Sequence, residues 1–264
     1  MSAPFILFIA AAVAAAASAP APTDAASAPA PTPLPGYALN DALSDEFDSE
    51  TGLNASKWGP SPHWPGRQPG LFDPANVVVG GGHLQLWARA AKRNDSWPAG
   101  YDNYTTAAIH SYATQQEGFF EIRWRSGSSG ISSSWWFHDN NSTAWTEIDV
   151  FETTGTTNPA PRGANASVLP SHVHVIELPG TSAPALPLRC GCTEHPAGVA
   201  PCSIGASWAL PGGATFAGAF HTAQLNWTTG LVRVYLDGSL VNTIASPCLL
   251  QPLGMDFDRE TMPG

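Results

Sequence analysis

The stretch LVRVYLDGSLVNTI, residues 231–244, decides the fold class. Leu231–Leu236 alternates apolar and polar side chains, Asp237-Gly238 is a two-residue turn of the kind that reverses a strand, and residues 239–244 alternate again. Alternation with a period of two separates an inner face from a wet one, and Asp-Gly tolerates the positive φ angles of a tight hairpin. The same grammar recurs upstream. Val77-Val78-Val79, Gly80-Gly81-Gly82 and His83-Leu84-Gln85-Leu86-Trp87 read as a second hairpin, and FFEIRWR (119–125) reads as a strand with one wet face. Glycine and proline contribute 25 residues each, and outside the first twenty positions no long segment repeats apolar residues at helical spacing. Many short strands joined by turns predict an all-β chain: a two-sheet jelly-roll sandwich.

Bulk properties exclude several classes of partner. The chain has 264 residues, 43% hydrophobic and 12% charged, which suits one core-bearing domain. Its net charge is −10, and its 11 Lys and Arg are scattered. Nucleic acid and anionic membrane both demand a basic patch, so neither is an expected partner; a monomer acting on a polymer is the expected state.

Residues 1–19 contain the apolar run FILFIAAAVAAAA and end in Ala17-Ser18-Ala19, the pattern of a cleavable signal peptide; an uncleaved anchor is the competing reading of a run short for a bilayer. Residues 20–36 are almost wholly Ala, Pro, Ser and Thr and read as an extended linker, so the folded domain is expected over 37–264. Seven Asn-x-Ser/Thr sequons, at Asn54, Asn94, Asn103, Asn140, Asn141, Asn165 and Asn226, agree with secretion. In an oxidising compartment Cys190, Cys192, Cys202 and Cys248 are expected to form two disulfides, with three connectivities open; a zinc site using Cys190, Cys192, His195 and Cys202 is the rival.

The chemistry concentrates in one acidic hexapeptide, Glu147-Ile148-Asp149-Val150-Phe151-Glu152. On a strand Glu147 and Asp149 share a face, whereas Glu152, five positions after Glu147, falls on the opposite one. A β-bulge near Val150-Phe151 would return it to the same side, and such a bulge is predicted here. Two carboxyl groups about 5–5.5 Å apart suit a retaining glycosidase, and a third can separate their titrations. A calcium site or a solvated acidic strand is the competing reading. Trp145 shares the parity of Glu147 and Asp149, while Trp136 (in SSSWWFH) and Trp64 (in HWPGR) are the other candidate sugar platforms.

The hexapeptide EIDVFE resembles the bulged Glu-x-Asp-x-x-Glu signature of glycoside hydrolase family 16. The resemblance extends over most of 40–264: SDEFD (44–48) looks like the family's opening strand. GRQPGLFDPANVVVGGGHLQLWAR (66–89), GFFEIRWR (118–125), SSSWWF, SHVHV (171–175) and FHTAQLNW…VRVYLDG (220–238) look like the agarase, porphyranase and κ-carrageenase branch. The resemblance implies a curved jelly roll with an open polysaccharide cleft and endo-acting, retaining hydrolysis of a galactan or related β-glucan. Glu147 would be the nucleophile, Asp149 the assisting acid and Glu152 the general acid/base. Transglycosylation on the same residues and a non-catalytic carbohydrate-binding role are the alternatives. His174 falls where this branch has a histidine near the site, against an ordinary half-buried histidine; Arg67 looks like a subsite residue, against a plain surface arginine. No cofactor is required, and a structural calcium is a family feature that nothing in these residues supports. Position 172 is His where relatives more often carry Asn. Relatives also continue past the point where this chain stops, to at least one more strand pairing inside the sandwich. The sequence is therefore expected to be a truncated gene product, incomplete at the C-terminus.

Overall fold

The structure is a computed structural model and describes residues 3–6, 35–49, 51–61, 64–140, 144–156, 165–177, 202–245 and 253–259. Two antiparallel-rich sheets pack face to face, and the described residues contain no helix beyond 3-10 turns at Pro74–Asn76 and Pro211–Gly213. Short strands come first: β1 (Ala3–Ile6), β2 (Trp58–Pro60), β3 (Gly70–Phe72), β4 (Val77–Val79) and β5 (Leu84–Ala90). The long central strands follow: β6 (Tyr104–Gln115), β7 (Gly118–Trp124), β8 (Ser132–Asn140), β9 (Ala144–Thr154), β10 (Val168–Glu177) and β11 (Cys202–Ala209). β12 (His221–Thr228), β13 (Leu231–Leu236), β14 (Ser239–Ala245) and β15 (Leu253–Arg259) complete the order. The smaller sheet runs β14-β13-β12-β7. The larger runs β1-β5-β6-β15-β8-β9-β10-β11, with β2 and β3 added to β6 and β4 to β5.

Both hairpins read from the sequence are present. β13 and β14 pair around Asp237 (φ 48°) and Gly238 (φ 78°), two successive left-handed residues that match the right-handed twist of the strands they join. β4 and β5 pair with Val79 opposite Leu84, closed by the Gly80 amide donating to the His83 carbonyl at 2.9 Å. Alternation then builds the core. Val232, Val234 and Leu236 of β13, Ala223, Leu225 and Trp227 of β12, and Ile122 and Trp124 of β7 all face the larger sheet. Trp124 bridges the two layers: its ring stacks on Phe151 of β9 (centroids 3.9 Å, 17°) and on Phe216 (5.2 Å, 27°). Each such fully buried side chain contributes roughly 1.5–3 kcal/mol from area alone.

One sequence expectation meets a different arrangement. SDEFD forms no strand: Phe47 takes φ 51°, which breaks an extended run, and side-chain bonds hold the segment instead. Phe47 is buried in the core, the Trp58 indole donates to Asp45 (3.0 Å), and Lys57 donates to the Ser44 carbonyl (2.6 Å). At the other end, Ala3–Ile6, inside the stretch read as a leader, pairs antiparallel with β5. β15 inserts between β6 and β8, so the middle of the larger sheet is paired by the chain's own residues 253–259. Cys190, Cys192, Cys248, His195 and Asn141 lie outside the described residues, as do the side chains of Cys202 and Asn140. Of the described sequon asparagines, Asn54, Asn94 and Asn103 are exposed, whereas Asn165 and Asn226 are half-buried.

His83 carries a pH consequence. It is 1% exposed, and burial together with the Arg123 and Arg125 charges lowers its pKa to about 4. The unfolded chain takes up this proton near pH 6.5 while the fold resists until about pH 4, so stability present above pH 6.5 is lost as the pH falls through that window. The loss amounts to as much as about 3 kcal/mol. Denaturant titrations at pH 7 and pH 4 on the protein and on His83→Gln should show a smaller difference in the variant.

Candidate active site

The hexapeptide sits at the centre of the larger sheet, on β9 between β8 and β10. Its register against β8 is regular up to one point: Glu147 lies opposite His138, Ile148 opposite Phe137 and Asp149 opposite Trp136, but Trp135 then meets Phe151. Val150 is the extra residue. This is the predicted bulge, and its consequence is legible in the burial: Ile148, Val150 and Phe151 are all in the core. Glu152 pairs with Ser134. Because Ser134, Trp136 and His138 alternate with the core residues Trp135 and Phe137, they share the face turned away from the core, and the three acids opposite them share it too. Without the bulge Glu152 would enter an apolar interior at a cost of several kcal/mol.

Asp149 is the most enclosed of the acids, 4% exposed, and its Oδ2 lies 2.9 Å from Nε2 of His174. β10 delivers that histidine: His174 is opposite Glu147 and His172 is opposite Asp149. The structure thus brings together Glu147, Asp149, Glu152 and His174, with Trp136 beside them.

The aromatic candidates fare differently. Alternation sends Trp135 into the core and keeps Trp136 on the site face, where it is 8% exposed and stacks on His138 (4.4 Å, 21°). One face of its indole is thereby covered. Trp145 is in β9, but its side chain lies outside the described residues. Trp64 and Arg67 are half-buried in the loop that enters β3, where Trp64 meets Phe72 edge-on (5.1 Å) and the Tyr101 hydroxyl donates to the Gly66 carbonyl (2.6 Å). β3 pairs with β6, three strand spacings or about 14 Å across the sheet from β9.

Sequence reasoning missed a row of paired residues that crosses the sheet. Successive partners run Gly59 (β2), His110 (β6), Asp256 (β15), Trp136 (β8), Asp149 (β9), His172 (β10) and Gly205 (β11). Beside it His138 faces Glu147, and Tyr112, 57% exposed, packs edge-on against His110. The parity of AAIHSYATQ places His110 and Tyr112 on one face, but only the register says which face. Both ends of the row need glycine. A Cβ on Gly59 would sit 2.2 Å from the His110 ring, and one on Gly205 would sit 2.2 Å from the Ser171 carbonyl oxygen and 2.3 Å from the His172 ring. Gly205→Ala should therefore force β10 and β11 apart and lower stability by roughly 1–3 kcal/mol, read as a drop in thermal midpoint.

Comparison with known proteins agrees with this geometry. The family described as "Beta-porphyranase A-D, GH16 domain" matches residues 37–185, more than half of the chain. β-Porphyranase D of Zobellia galactanivorans is 34% identical over 110 residues, covering 40% of this chain and 26% of that protein. β-Porphyranase E of the same organism is 31% identical over 124 residues, covering 44% of this chain and 42% of that protein. The matched stretch thus spans less than half the length of either relative. The crystal structure of porphyranase B from Z. galactanivorans superposes with a TM-score of 0.64 at 20% identity, covering 88% of each chain, which shows a shared fold. With the bulged acidic strand on the open face of a jelly-roll sandwich and the family match spanning it, the chain belongs to the β-porphyranase A–D group of glycoside hydrolase family 16 domains.

Proposed function

We propose that this chain hydrolyses internal glycosidic bonds of an agar-type galactan, with porphyran the first substrate to test, by a retaining double displacement. The observation that carries the reading is the bulge at Val150, which collects Glu147, Asp149 and Glu152 on one face. Glu147 is the nucleophile: its carboxylate forms a bond to the anomeric carbon as the bond to the departing oxygen breaks. Glu152 gives its proton to that oxygen, then takes one from the water that releases the sugar from Glu147. Asp149 stands between them, two residues from Glu147 and beside His174, placed to tune the nucleophile by hydrogen bonding. The two sequence relatives support a galactan because both are named for porphyranase activity.

Arg67, Trp64 and Tyr112 lie toward β6, so they are proposed to meet sugars some units away from the cleaved bond. Such a division of labour suits a long polymer lying across the sheet. Secretion after removal of residues 1–19, and action as a monomer, complete the proposal.

The test is an assay of reducing ends on porphyran, agarose, carrageenan and laminarin, followed by proton NMR of the first products. Release of oligosaccharides with the anomeric configuration kept is expected. Inverted products would refute the mechanism, and no release from any galactan would refute the activity.

A further inference from the structure

His172 has no part in the double displacement, yet it is built into the site with care. It shares a face with His174 two residues on, their ring centroids 5.6 Å apart and 30° from parallel, and it stands directly opposite Asp149. One nitrogen of each imidazole and one oxygen of Asp149 all lie within 4.8 Å of one another. An ion held at about 2.0–2.2 Å by each of three donors in a tetrahedral site sets those donors roughly 3.3–3.6 Å apart, so closing the set takes up to about 1.5 Å of side-chain movement.

The donors also select the ion. Two imidazoles and one carboxylate suit zinc, cobalt(II) or copper(II), whereas calcium and magnesium favour sites made of oxygen alone. Three protein ligands leave further coordination positions for water or a sugar hydroxyl. Two independent features fix the geometry before any ion arrives. Gly205 lets the His172 ring lie against the backbone of β11, where any Cβ would collide with it. Asp149, 4% exposed at the centre of the sheet, has little freedom to turn away.

We propose that Asp149, His172 and His174 bind one divalent transition-metal ion of the zinc type, and that the bound ion holds the active site off. The inhibitory part rests on the proposed hydrolase reading, because it works by committing Asp149 to the metal and placing a cation beside Glu147. The binding part stands without it.

The two parts separate in one experiment on the full, tag-free, metal-stripped chain. Titration with cobalt(II) chloride should give visible absorption bands that saturate, and zinc chloride should displace the cobalt in calorimetry. His172→Asn and His174→Ala should each weaken zinc binding at this site at least tenfold, with circular dichroism spectra like that of the parent. Zinc affinity unchanged in both variants would overturn the proposal, as would zinc that is lost only when the cysteines are alkylated. Where porphyran is cleaved, zinc should slow the parent and lose its grip in His172→Asn; cleavage indifferent to saturating zinc would refute the inhibitory role. If no galactan is cleaved, the hydrolase reading fails while the cobalt titration still decides the metal site.

Discussion

Glu147→Gln is expected to lower galactan hydrolysis by at least roughly 10²–10⁴-fold, and Glu152→Gln by a similar factor on the natural polymer. The amide is nearly the size of the carboxyl group and can accept the same neighbours, so the fold should persist, which a thermal melt would check. The two variants should then part company on an aryl glycoside whose leaving group needs no proton. The first step no longer requires an acid, so Glu152→Gln should recover its burst of aryl release, while Glu147→Gln has no anion to attack with and should not. Near-parental rates in either variant on porphyran would remove that residue from its role. Asp149→Asn should lie between the extremes, because the group beside His174 assists without bonding to sugar.

Phe151→Ala is expected to cost about 3–5 kcal/mol of stability, measured by denaturant titration, because it opens a cavity at a fully buried position in the core. Its ring lies 3.9 Å from that of Trp124 and within 6.4 Å of that of Trp135, joining the two sheets. The residue is also the second half of the bulge. With Phe151 gone, the backbone at Val150 loses the packing that keeps two consecutive side chains turned inward, and Glu152 loses its anchor. Activity should fall further than the unfolded fraction explains. A loss under about 1 kcal/mol would show that the site can collapse around the missing ring.

The bulge was legible in the sequence because three acids at spacings of two and three cannot share a face of a regular strand. The hairpins at 77–87 and 231–244 were legible for a similar reason: alternation and turn chemistry are local. What stayed hidden depends on pairing between distant segments. Residues 253–259 lie between β6 and β8, more than a hundred residues upstream, and no local pattern names those neighbours. The same gap concealed His138 and His110, whose importance comes from standing opposite Glu147 and Asp256. Trp136 was singled out as a candidate platform, but the stacking on His138 that covers one side of its indole depends on rotamers. Phe47 shows the converse error, where an extended-looking pentapeptide is interrupted by a single left-handed residue.

The row from Gly59 to Gly205 crosses strands 4.7–4.9 Å apart, a pitch close to the length of one pyranose unit. Under the proposed function, a glycan lying along it would encounter roughly one backbone ladder per sugar, and the sheet would serve as a graduated scale with Asp149 at its zero mark. Shifting the polymer by one unit re-registers every ring onto the next strand, and the lengths of the oligosaccharides released become a readout of how many graduations lie on either side of that mark.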